Sequence, residues 1–151
     1  MLLVTTLEEL RGLLGREIAV TEWIEITQER INTFADATED HQWIHIDHER
    51  AQRESPYGTT IAHGFLTLSL LAKFLKDSIQ LRDLRMAIND GLNRVRFPAA
   101  VRAGSRIRAR IVPQSMRDVG DATEVTYSIT IESQRAEKPC CAAEWLVRYY
   151  R

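Results

Sequence analysis

Residues 34–47 read FADATEDHQWIHID, and residues 61–75, after a short loop, read IAHGFLTLSLLAKFL. The span 34–75 holds all four histidines of the chain, His41, His45, His48 and His63, with the carboxylates Asp36, Glu39, Asp40 and Asp47. From Gly64 to Lys76 the sequence lacks a charged stripe until its end, and a helix apolar on nearly every side is a buried one. A helix over 64–76 is therefore expected to form the core, with acid and base groups at its entry. The rest of the chain reads as sheet that wraps this helix.

Upstream, leucines at 7, 10, 13 and 14 have helical spacing, with Thr6 as N-cap and Gly15 as stop. Residues 17–26 are rich in Ile, Val and Trp and predict a strand. Thr27 caps a helix over 28–38 whose Ile31, Phe34, Ala35 and Thr38 share one face. That pattern breaks at Glu39-Asp40-His41. Asp47 caps a short turn through 48–53, and residues 54–60 are loop by their Pro and Gly. Downstream, Ile107, Ala109 and Ile111 alternate with arginines, and Val125, Tyr127, Ile129 and Ile131 alternate with polar residues. Period-two alternation of that length predicts strands, with Gly120-Asp121 as their turn. Residues 85–97, interrupted by Asn89-Asp90-Gly91, and 140–150 are further strands. The expected architecture is α+β: long antiparallel strands curled around one helix, in a single domain spanning 1–151. One such layer leaves a sheet edge exposed, and a homodimer joining two sheets is the expected remedy.

Composition narrows the function classes. No apolar run approaches the roughly 20 residues of a membrane span, and the first residues lack the basic start of a secretory leader. Cys140 and Cys141 are adjacent, with no third cysteine to pair with, so a reducing cytoplasm is the expected compartment. Residues 1–60 carry five Lys/Arg against twelve Asp/Glu, a net of −7, while residues 82–117 carry nine Arg against two Asp, a net of +7. The basic block suits contacts within the fold, a solvated strand face or an anionic ligand. Its sparse aromatic interleaving argues against nucleic acid. Nucleotide-fold and serine-hydrolase signatures are absent.

Asp40 and His45 flank a break between elements, where a turn can aim both at one spot. A carboxylate and an imidazole converging there can handle a water and a proton near neutral pH. Read blandly, Asp40 is a helix-end carboxylate and His45 a satisfied core histidine. His63-Gly64 opens the core helix, where free backbone N–H groups suit an oxyanion. Ser69, further along, either reaches the site or back-bonds to a carbonyl. A metal held by His41, His45 and His48 is disfavoured: Ile44 and Ile46 flank His45, and HExxH is missing. No metal is expected.

FADATEDHQWIHID, IAHGFLTLSLL and GLNRVRFPAAVRAGSRI, in this order, resemble the MaoC-like family of (R)-specific enoyl-CoA hydratases, in particular its small single-domain bacterial branch that includes nodulation protein N-like sequences. The resemblance runs from about Trp23 to the C-terminus. It implies a hot-dog fold and reversible hydration of a trans-2-enoyl-CoA to an (R)-3-hydroxyacyl-CoA. It also implies Asp40 and His45 as the catalytic pair, Gly64 N–H at the thioester oxygen, and Ser69 and His63 nearby. Arg94 and Arg96 are the first choices for coenzyme A phosphates. Coenzyme A enters with the substrate, and no separate cofactor is implied. Gln42-Trp43 stands where many members have Asn-Pro, which alters the pocket's shape. Two rivals remain: a hot-dog acyl-CoA thioesterase and a non-catalytic acyl-CoA-binding protein.

Overall fold

In a computed structural model describing residues 2–151, the chain begins with β1 (Leu3–Thr5) and α1 (Leu7–Arg11). Two short pairings follow, β2 (Ala19–Val20) and β3 (Ile24–Glu25). Helices α2 (Gln28–Thr38), α3 (Trp43–Ile46) and α4 (His48–Glu54) lead to the central pair α5 (Gly64–Ser69) and α6 (Leu71–Ser78). Then come β4 (Ile79–Leu81) and the long strands β5 (Met86–Arg96), β6 (Arg106–Val119), β7 (Ala122–Ser133) and β8 (Cys141–Tyr150). The main sheet runs β2-β6-β7-β8-β5, with β3 also on β6 and all its pairings antiparallel. This is the hot-dog architecture, a long sheet beside a central helix. No helix among the described residues is long and apolar enough to cross a membrane.

Alternation on β6 and β7 sets the buried face. Ile107, Ala109, Ile111, Val125, Tyr127, Ile129 and Ile131 are buried together with Leu66, Leu71, Phe74 and Leu75 of the helices. The two buried phenols, Tyr127 and Tyr149, satisfy each other at 2.7 Å. Cys140 and Cys141 are free and buried, and burial pushes their thiols up to about 12 and about 11. They pack and stay protonated.

Much of the basic block is structural. Arg108 and Arg110 hold Glu132 across the β6–β7 ladder, and Arg110 also reaches Glu17 at 3.2 Å. Arg117 and Arg148 bracket the buried Glu124 at 2.9 and 3.1 Å. These bonds, first that from Arg117, hold the Glu124 carboxyl below its ordinary range. Arg82 sits 3.6 Å from Glu9, so only some acidic–basic pairs join the two halves of the chain.

Four expectations are corrected. The strand expected over 17–26 is broken: at Thr21 the side-chain Oγ accepts from Ala109 N–H at 2.9 Å, in place of a regular ladder bond. The first helix ends at Gly12 instead of reaching Leu14. The core helix is interrupted at Leu70, because Ser69 Oγ donates to Leu66 O and Leu70 N–H turns to Thr67 O at 3.2 Å. Nor is that helix buried all round: Phe65 is 71% exposed, beside β5 with its exposed Met86, Ile88 and Leu92. The parallel pair β1–β4, which joins Leu3 to Ile79, carried no local signal.

Phe74 fills the centre of the helix–sheet contact. Phe74→Ala is expected to cost about 3–5 kcal/mol in urea unfolding, and Lys73→Ala on the exposed face about 0.5 kcal/mol or less. Equal losses for the two would contradict this core.

Candidate active site

Thr27 caps α2 by accepting from Arg30 N–H at 3.1 Å. The helix ends at Glu39, which takes a left-handed conformation (φ 59°). That reversal is costly for a non-glycine residue, and it swings Asp40 back over the start of α5. Asp40 keeps its carboxylate 53% exposed. His45, on the single turn of α3, is 9% exposed, and His63, the N-cap of α5, is 3% exposed. The three side chains converge, each offering one atom within 4.8 Å of the other two.

Backbone carbonyls fix both rings. A carbonyl only accepts, so the ring nitrogen facing it carries the proton. His45 Nδ1–H donates to Ile61 O at 2.7 Å, which leaves the Nε2 lone pair free. His63 Nε2–H donates to Asp40 O at 3.0 Å, with Asp40 Oδ2 4.0 Å away. The rings stack with centroids 3.8 Å apart and planes at 24°. Phe34 closes on the other side of His63 at 4.9 Å. His63 Nδ1 is buried without a partner among the described residues. Stacked rings direct their in-plane lone pairs side by side, a poor arrangement for a shared metal. The cluster of His41, His45 and His48 that the sequence disfavours is not assembled either, since His41 turns to Asp36 at 2.9 Å and His48 starts a separate helix.

Burial pushes His45 below its ordinary value, and His63 adds to this, against the Ile61 bond and the Asp40 charge. At neutral pH His45 is an imidazole with an available lone pair. Such a group can take a proton from water, and an adjacent carboxylate can orient that water.

The site's scaffold includes residues that the sequence reading missed. Gln28 Nε2 donates to His45 O at 2.8 Å, and Gln28 Oε1 accepts from the buried Thr60 hydroxyl. Ile61 N–H returns a bond to Ile44 O at 3.1 Å. Nothing local in the sequence distinguishes Gln28 from an ordinary first-turn residue, because its partners lie in another element. Gly64 begins α5, where its N–H has no intrahelical partner. A Cβ there would stand 3.3 Å from three ring atoms of Phe97, so the close approach of Phe97 favours glycine. Ser69 spends its hydroxyl on Leu66 O at 2.7 Å and lines a separate hollow with Phe65, Leu92 and Trp145. Trp43 lies under the Arg50 guanidinium at 4.3 Å, which places its bulk toward α4. Arg94 and Arg96 are exposed on β5, and Arg96 donates to Val95 O at 2.8 Å.

The sequence matches the MaoC like domain over residues 10–134. It is 48% identical over 142 residues to 3-hydroxyacyl-thioester dehydratase Z of Mycobacterium tuberculosis, covering 93% of each chain. It is 43% identical over 143 residues to Nodulation protein N of Rhizobium leguminosarum bv. viciae, covering 93% of this chain and 89% of that one. The fold matches a MaoC-like dehydratase from Rhodospirillum rubrum with a TM-score of 0.76 over 97% of both chains, at 23% identity. The chain therefore belongs to the MaoC-like dehydratase family, and it is a hydro-lyase of the hydratase/dehydratase type.

A depressed His45 disfavours the charged form in the folded state. Below about pH 6.5 the unfolded chain binds more protons than the folded one, so stability is full above that pH and falls as the solution is acidified. The His45 ring is expected to titrate below about 6.5 by NMR, and wild type is expected to lose stability relative to His45→Gln on acidification. A midpoint at or above the ordinary value would contradict the burial argument.

Proposed function

We propose that this protein is an (R)-specific enoyl-CoA hydratase, adding water reversibly to trans-2-enoyl-CoA to give (R)-3-hydroxyacyl-CoA. The observation that carries the reading is the convergence of Asp40 and His45, with His45 neutral and its Nε2 unencumbered. Water sits between the two side chains. As its oxygen bonds to C3, one of its protons passes to the pair, and a proton from the pair reaches C2. Acid and base act as one unit, with the proton exchanged between them or with solvent between turnovers. Gly64 N–H donates to the thioester oxygen as enolate character develops, an electrostatic contribution available only from a backbone that a ligand can approach closely. His63 completes the substrate's surroundings, while Ser69, its hydroxyl bonded to Leu66 O, supports the turn of α5 behind them. The chemistry needs no metal and no cofactor beyond the coenzyme A that the substrate carries.

The same reading places the enzyme in a reducing cytoplasm, which suits the free buried Cys140 and Cys141. It also makes it a homodimer, built across the β5 edge, where Ile88 and Leu92 are exposed beside Phe65. A charge in that seam is disruptive: Ile88→Lys is expected to turn a dimer into a monomer by light scattering, and an unchanged mass would move the interface elsewhere.

The deciding assay mixes the protein with crotonyl-CoA, follows enoyl-thioester absorbance, and resolves the product's stereochemistry. The expected result is loss of absorbance with (R)-3-hydroxybutyryl-CoA formed. Asp40→Asn and His45→Gln are each expected to lower kcat by about 10²–10⁴ while the fold persists by circular dichroism. Release of free thiol instead would identify a thioesterase. Near-full turnover by either variant would remove the pair from the mechanism.

A further inference from the structure

The hydratase reading leaves open where the phosphates of the substrate's carrier arm rest. The sequence points to Arg94 and Arg96, but neither lines the hollows beside Gly64. Of the basic block, Arg82, Arg108, Arg110 and Arg117 are already neutralised by Glu9, Glu132, Glu17 and Glu124. Arg102 and Arg135 form no ion pair among the described residues, and both line one hollow of about 240 Å³. Tyr57 and the 98–100 segment separate that hollow from another of about 290 Å³ that contains Ile61 and Gly64. Arg102 also pairs through its backbone with Ile61, whose carbonyl holds His45.

We propose that Arg102 and Arg135 form a phosphate site for the phosphopantetheine arm of the acyl thioester. The proposal rests on the hydratase reading for the identity of the ligand, and on the shared hollow for its place. Two guanidiniums without a carboxylate partner suit a phosphate, which each can bind through charge-assisted hydrogen bonds. A third group has the same need: Ser105 lines the hollow, is 1% exposed and has a hydroxyl with no partner among the described residues. A phosphate between the two arginines supplies the acceptor that this O–H lacks. The arm then runs along Tyr57 and Pro98–Ala100, and its thioester reaches Gly64. The phosphate ester at the end of pantetheine is common to coenzyme A, where it is half of a diphosphate, and to the arm of an acyl carrier protein, where it is a phosphodiester.

Calorimetric titration with free coenzyme A, which cannot turn over, tests the site directly in the full chain. The Arg102→Gln/Arg135→Gln double variant is expected to weaken binding at least about tenfold. Raising the salt should weaken binding to wild type more than to this variant. Pantetheine, which has no phosphate, should show no difference between the two proteins. Both arginines are exposed, and thermal melts of the variant check its fold. The Arg94→Gln/Arg96→Gln double variant serves as the comparison. Unchanged coenzyme A affinity in the Arg102/Arg135 variant would overturn the proposal, as would a loss confined to the Arg94/Arg96 variant. Titration with a phosphopantetheinylated carrier protein separates the two sources. Failure of wild type to bind either form also overturns the site. Binding that depends on Arg102 and Arg135 without hydration of any enoyl thioester would instead defeat the hydratase reading and leave the phosphate site standing.

Discussion

The bond from His45 Nδ1 to the carbonyl of Ile61 fixes both a tautomer and a fold. A one-turn helix such as α3 cannot hold a side chain by its own hydrogen bonds. His45 is held from outside, by Ile61 O at its ring and Gln28 Nε2 at its carbonyl. Ile61 is in turn clamped by Ile44 and by its bridge to Arg102, and the 60–63 segment by Ala62 N–H to Val101 O at 2.7 Å and Ala103 N–H to Thr60 O at 2.9 Å. The segment 60–63 thus acts as a template. It reads the 97–104 loop on one side and presents a carbonyl to His45 and an imidazole to Asp40 on the other.

Burial has opposite consequences for the groups it touches here. His45 is pushed toward neutrality because water is withdrawn from its charged form. Glu124 is just as buried but stays ionised, because Arg117 and Arg148 replace the lost water. The difference lies in the partners: a carbonyl and a second imidazole for His45, two guanidiniums for Glu124. The same arithmetic divides the basic block into arginines already committed to carboxylates and those still available to a ligand.

What the sequence made legible follows from how local the physics was. The span of α2 and its Thr27 cap, the Asp47 cap, the β6–β7 hairpin at Gly120 and the long alternating strands all rest on neighbours within a few residues, and all form as read. The meeting of Asp40 with His45 was legible as a break in periodicity, although spacing alone left a bland reading open. Gln28, Thr60 and the Ile61 carbonyl were not legible, since each matters only through a residue brought close by tertiary folding. The break at Leu70 was hidden for a related reason. A serine inside an apolar helix is either solvent-facing or back-bonded, and only the direction of its hydroxyl decides.

The helix over 64–78 also shows what hydrophobicity in a sequence refers to. Its composition describes burial on nearly every side, yet the sheet of one chain covers only the face bearing Leu66, Leu71, Phe74 and Leu75. Another face, with Phe65, continues onto the exposed apolar residues of β5, which ends the strand order among the described residues. An apolar face of this kind next to an open edge is a liability for a protein that stays a monomer. The helix reads as fully buried because composition does not say which of its sides the sheet covers, and the side left open lies beside β5, the edge strand at the seam of the proposed homodimer.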